Sequence, residues 1–295
     1  MRTAIFAIIL SLGGALQQAW AAPAAPSVPL AAATDAEAAP PGGFGMAVGP
    51  TNIRLAGAPG SAQTGKIMVW NHGASPLDIV TELSDVTNTL TDDNRLERDF
   101  PPPGVVPYSC AKWVVLERQE FTVEAHSKQE IGVTVSTPSD ASGGYACVVF
   151  FRGLPVFDAG ADDDGKPKTS VVVQPRIGTL LFFEAEGTVV RKGELLELSY
   201  KPPQEDRPLL VQYEFKNTGN TDILLSGHFH IMDSQKALMT KGDLTPIRTF
   251  PGDQGIAQTE WAGVLAPGAY QLVITMELGP DAQEVIVKEI PLTIE

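Results

Sequence analysis

Cysteine is scarce in this chain, basic residues are outnumbered, and no apolar run is long enough to cross a membrane. Two Cys among 295 residues exclude a disulfide-dense mini-protein and, alone, cannot complete a structural zinc site. Lys and Arg number 21 against 35 Asp and Glu, a formal net charge of -14. Nucleic-acid binding is driven by counterion release to Lys and Arg, so this balance excludes a phosphate-backbone binder and disfavours anionic membrane surfaces. Catalytic signatures are missing as well. There is no Gly-x-Ser-x-Gly, His-Glu-x-x-His, phosphate-cradling Gly-rich loop or dinucleotide fingerprint, so the sequence points to no catalytic residue and no cofactor. Widely separated carboxylates forming a glycosidase pair are the enzyme class left open. No stretch has the period of an amphipathic helix of three turns.

Glycine, proline and apolar residues are plentiful: 28 Gly, 24 Pro and 43% apolar. The length exceeds the roughly 100 to 200 residues of one domain, which predicts two. Met1-Arg2, the apolar run Ala4 to Leu16 and the ending Gln17-Gln18-Ala19-Trp20-Ala21 have the order of a secretory signal, expected to be cut after Ala21. The apolar run falls short of the roughly 20 residues of a spanning helix. The mature chain is therefore expected to be soluble, without membrane insertion, in the periplasm or outside the cell. Residues 22–43, rich in Ala and Pro, cannot bury enough apolar surface to offset ordering and are expected to be a disordered leader.

Beyond the leader the apolar period is two. Phe121, Val123 and Ala125 alternate with Thr122 and Glu124; Ile131, Val133 and Val135, then Tyr213 and Phe215, then Tyr270, Leu272, Ile274 and Met276 make similar stripes. Such stripes predict half-buried antiparallel strands. Turn clusters punctuate them at Asn71-His72-Gly73, Pro138-Ser139-Asp140, Asn217-Thr218-Gly219-Asn220, Pro251-Gly252-Asp253 and Pro267-Gly268, at the spacing of a β-sandwich. Thr81 to Arg98 reads as a strand followed by a polar loop. The expected fold is all-β, with two consecutive immunoglobulin-like sandwiches at 44–187 and 188–295.

Cys110 and Cys147 in an exported chain predict one structural disulfide within the first domain. There is no Cys-x-x-Cys to suggest redox activity. Tyr145 stands two residues before Cys147 and the apolar run Val148 to Phe151, which matches a tyrosine corner entering strand F of an immunoglobulin-like sandwich. His228 and His230 flank Phe229 and share one face of a strand. Asp233 is the only carboxylate close by in sequence, so they read as solvent-facing residues rather than metal ligands. Asp158 and Asp162-Asp163-Asp164-Gly165 resemble a calcium loop loosely, because such loops place ligands at alternate positions; a solvated loop is expected.

Several of these segments resemble a known family. Val48-Gly49-Pro50-Thr51-Asn52-Ile53, Lys66 to Asn71, Trp113-Val114, Phe121 to Val135, Pro138 to Phe151 and Arg176-Ile177-Gly178 look like the first domain of periplasmic pilus-assembly chaperones. Phe215 to Asn220, Trp261 and Pro267-Gly268-Ala269-Tyr270 look like the linked second domain. The resemblance implies a non-enzymatic chaperone or adaptor that binds another exported protein, such as a pilus or surface-fibre subunit, by strand pairing. Strand G of the family corresponds to Val171 to Ile177, with Val171 and Val173 on one face and the polar loop Asp158 to Lys168 before them. Arg176 falls where the family grips its partner's terminal carboxylate, a task suited to a guanidinium fork. The family's other basic anchor aligns with Asn52, and Arg54 follows on the same face about 7 Å along the strand. Pro175 removes one ladder donor and fits an edge. Similar paired domains imply a second reading, a cell-surface structural protein that binds peptidoglycan or surface partners.

Overall fold

The computed structural model describes residues 45–154, 174–203, 207–279 and 285–294. The first part of the chain forms β1 (Met46–Gly49), β2 (Asn52–Gly57), β3 (Ala62–Asn71), β4 (Leu77–Ser84), β5 (Thr87–Leu90) and β6 (Leu96–Asp99). After one turn of 3-10 helix at Ala111–Trp113 come β7 (Val114–Leu116), β8 (Glu120–Val123), β9 (Ser127–Ser136), β10 (Gly144–Gly153) and β11 (Arg176–Ala185). The remainder gives β12 (Gly193–Lys201), β13 (Leu209–Asn217), β14 (Ile223–Met232), β15 (Leu238–Asp243), β16 (Ile247–Thr249), β17 (Gln254–Trp261), β18 (Gly268–Glu277) and β19 (Val285–Ile294). The architecture is the all-β pair of immunoglobulin-like sandwiches that the period of two predicts.

In the first sandwich a sheet ordered β1-β3-β9-β7 faces one ordered β2-β11-β10-β4-β8. Its core is built from inward residues of both, among them Ile67, Val69, Ile131, Val133, Val149, Phe151, Leu181 and Phe183. The chain serves both sheets at its start: β1 pairs antiparallel with β3, and after a cis Gly49–Pro50 peptide β2 pairs in parallel with β11. The second sandwich sets β12-β13-β17 against β15-β14-β18-β19, with β16 paired to the near end of β14. Alternation does the sorting here. Leu209, Val211, Tyr213 and Phe215 of β13 are buried while the residues between them are half-exposed, as expected for a sheet with one face on a core. β10 is instead buried along nearly its whole length, because it is central in its sheet and aromatic side chains cover its outer face.

Each sandwich carries the same small device, at the end of β3 in the first and of β13 in the second. Asn71 and Asn217 are buried. Their Oδ1 atoms accept from the amides of Gly73 (2.9 Å) and Gly219 (3.0 Å), and their Nδ2 atoms donate to the carbonyls of Ser75 (2.8 Å) and Thr221 (2.9 Å). The side chain thus replaces backbone partners in a turn, the reason Asn is favoured there. Cys110 and Cys147 are bonded, with Cα atoms 5.4 Å apart. Closing a loop of this length contributes roughly 4 kcal/mol in the chain-entropy description. Tyr145 Oη accepts from the Ser142 amide at 3.0 Å, the backward bond of a tyrosine corner, and its ring meets Trp113 edge-on at 4.5 Å.

One expectation needs correction. Residues 81–98 are not a strand plus a loop, since β4 ends at Ser84 and β5 and β6 then form an antiparallel hairpin. Its strands are short and polar (Thr87-Asn88-Thr89-Leu90 and Leu96-Glu97-Arg98-Asp99), so no apolar alternation announces them.

Candidate functional site

Two places gather charged and aromatic side chains: the outer face of the β4-β10-β11 sheet, and the junction between the sandwiches. On the first, Arg176 lies beside Arg152 in the β10–β11 register, and Glu82 of β4 pairs with Phe150. Arg152 and Arg176 both donate through Nε to Glu82, at 2.6 and 3.1 Å. The Arg176 guanidinium also stacks on Phe150, 3.5 Å from the ring centroid, and Phe100 meets that ring edge-on at 5.1 Å. Gly178 makes this packing possible, because a Cβ there would lie 2.8 Å from both Phe150 and Val148. Hydrogen bonding from Arg152, partly opposed by burial and helped by Arg176, holds the Glu82 carboxyl below its ordinary pKa. Two guanidiniums on one carboxylate leave a local charge of about +1 in an acidic protein.

The border of β11 changes along its length. From Leu180 to Ala185 it is paired in parallel with β2, and Leu180 donates to the Thr51 carbonyl at 3.0 Å. Before that, Thr179 Oγ1 reaches the Pro50 carbonyl at 2.9 Å. Arg176, Ile177 and Gly178 have β10 as their one sheet neighbour among the described residues. Val171 and Val173, expected on this strand, lie outside the described residues.

Among the described residues, the expected partner-binding residues Arg176, Asn52 and Arg54 are not gathered in one place. Asn52 pairs with Leu180, four residues from Arg176 and so about 13 Å along the strand. Arg54 is at the junction. Its Nη1 and Nη2 donate to both oxygens of Asp222 in the second sandwich, at 3.0 and 2.8 Å, and it also contacts Glu184 of β11. Arg248 joins Asp222 and Arg191 joins Glu184. Arg54 and Arg248 each place their guanidinium carbon 4.6 Å from the Phe182 ring centroid. Burial opposes the charge on Arg54, but its bonds to Asp222 and Glu184 outweigh that and raise its pKa. Val86, Ala146, Phe182 and Phe250 form a small buried cluster here, with Tyr108 stacked on Phe250 at 5.2 Å. Burial pushes the Tyr108 hydroxyl up to about 12.

Sequence reasoning missed Glu82, Arg152 and Phe150. The signal was present only as alternation, which puts Phe150 and Arg152 on one face of β10; what stacks there depends on pairing with segments far along the chain. His228 and His230 are half-buried on β14, with ring centroids 4.9 Å apart. Among the described residues no group of three or more His, Cys, Asp or Glu is placed to hold a metal ion, and no helix is long and apolar enough to cross a membrane. The aspartates of the loosely calcium-like loop lie outside the described residues.

No family model and no curated protein matches the sequence. Among solved structures the chain is similar to the class 5 fimbriae chaperone CfaA, with 13% identity and a TM-score of 0.43 over 84% of this chain and 100% of that one. It is similar to the YadV chaperone, with 11% identity and a TM-score of 0.42 over 84% and 100%. It is also similar to a chain of the CsuC-CsuE chaperone-tip adhesion subunit pre-assembly complex of Acinetobacter baumannii, with 11% identity and a TM-score of 0.42 over 82% and 97%.

Proposed function

We propose that this chain is an exported, non-enzymatic chaperone-like or adaptor protein whose first domain spans 44–187 and second 188–295. It acts in the periplasm and lends backbone to an extended segment of another exported protein, of the pilus-subunit kind, along the free border of β11. The observation that carries this reading is the border itself. Arg176 to Gly178 are paired on one side by β10 and carry no sheet partner on the other among the described residues. A strand with unpaired amides and carbonyls is a template for another chain. The border begins at a guanidinium held in place by Phe150 and Glu82 while 41% of its side chain is exposed. Arg176, with Arg152 beside it, is proposed to take a carboxylate of the incoming segment, and Val171 and Val173 to fill its groove. Asn52 lies on the closed part of the border, and Arg54 is assigned to holding the two sandwiches together.

The test is retention of one identified partner from periplasmic extract by wild type and by a Val171→Glu/Val173→Glu variant, with Arg176→Glu as a second variant. The expected result is loss of that partner in both variants, with the Val171/Val173 variant keeping the wild-type thermal midpoint and the Arg176 variant, which also loses its bond to Glu82, still giving the circular dichroism of a folded β protein. Undiminished retention by the Val171/Val173 variant overturns strand pairing. Capture on purified peptidoglycan without any protein partner replaces the chaperone reading with the surface-structural one.

A further inference from the structure

The β5–β6 hairpin leaves the first sandwich and meets the second at β17, the border strand of the β12-β13-β17 sheet. Arg95 forms a parallel bridge with Ile256. The Ile256 amide donates to the Asn94 carbonyl at 2.9 Å. Asn94 holds a left-handed backbone, φ 58°, which Asn tolerates better than other side chains do. Its own amide donates to the Thr91 carbonyl at 2.9 Å and so closes the hairpin turn. Beside it Leu96 lies against Gly255, where a Cβ would come 2.6 Å from Leu96 Cγ; only a residue without a side chain admits so close an approach. Further along, Asn88 Nδ2 donates to the Arg248 carbonyl (2.9 Å) and to Asp253 Oδ2 (2.6 Å). Asp253 Oδ2 also accepts from the Phe250 amide at 2.7 Å. Arg98 stacks over the Phe250 ring at 4.9 Å.

We infer that the β5–β6 hairpin is a cap donated within the chain: it covers the start of the β17 border at Ile256 and couples the two sandwiches into one cooperative folding unit. An uncovered border strand invites pairing with another chain, and here the cover comes from the neighbouring sandwich. The start of the β17 border is thereby withdrawn from partners, independently of what pairs at β11.

Hydrogen exchange on the intact wild-type chain tests the coupling directly. The Ile256 amide sits on the outer side of a border strand, yet should exchange roughly 100-fold or more slowly than an open border amide, as for a bond released only when a larger unit opens. Asn88→Ala and Gly255→Val should each accelerate that exchange and split a single calorimetric transition into two. Asp92→Asn at the exposed hairpin turn should do neither. Rapid exchange of Ile256 in wild type overturns the inference even if a variant fails to fold, and so does a single unshifted transition in both folded variants.

Discussion

Asp85 is fully buried, and its carboxylate organises a loop. It accepts from the amides of Gly104 (2.9 Å), Val105 (2.6 Å) and Val106 (2.9 Å) and from the Ser109 hydroxyl. That loop delivers Cys110 to Cys147, so one side chain sets the approach of the disulfide. A buried acceptor with charge is worth more per hydrogen bond than a neutral one, and its removal strands several donors at once. Asp85→Ala should therefore lower stability by about 3 kcal/mol or more, seen as a lower urea midpoint with an unchanged slope. Asp85→Asn, which keeps one acceptor oxygen, should lose less. Nothing in the local sequence Leu83-Ser84-Asp85-Val86 distinguishes this Asp from a solvated one. Its partners become visible only once the chain folds back over it.

The strand elements were the legible part, because their burial repeats every second residue. β13, β9 and β18 read directly from apolar stripes, and Asn71-His72-Gly73 and Asn217-Thr218-Gly219 read as turns because their side chains replace backbone bonds. β5 and β6 escaped, since what stabilises them is a partner strand about 160 residues later and not a stripe of their own. The Arg176 site was half legible: the arginine stood out, whereas Glu82 and Arg152 come from two other strands. Those three strands give a test at this scale. A carboxyl whose pKa is depressed in the folded chain contributes stability that is present above its unfolded pKa and lost as pH falls through the folded value. Glu82, lowered from 4.5 mainly by the Arg152 bond, should therefore titrate below that value in carboxyl NMR and hold β4, β10 and β11 together down to that lower pH. Arg152→Met should move its midpoint back upward. A midpoint unaffected by Arg152→Met would sink this account of the clamp.

At the scale of the whole molecule the two cores are separate in sequence, and the charge at their junction links them. Asp222 has a side chain only 4% exposed and receives Arg54 from the first sandwich and Arg248 from the second. Both guanidiniums also face Phe182. This arrangement was closed to sequence reasoning, because Arg54 and Asp222 are 168 residues apart. Taking away the buried carboxylate leaves Arg248 without its carboxylate partner and close to Arg54, which keeps only Glu184, and the loss of one member of a buried ion pair costs about 3 to 5 kcal/mol. Arg54 is more open, at 37% exposure, and its removal leaves Asp222 still paired with Arg248. Asp222→Ala should thus destabilise the chain clearly more than Arg54→Ala. The double variant should fall short of the sum of the two, since the second change relieves the repulsion created by the first. Urea unfolding of the four proteins measures this cycle. Additive losses, or a larger loss for Arg54→Ala, would mean that the sandwiches are held by their aromatic contacts and the β5–β6 hairpin rather than by this shared carboxylate.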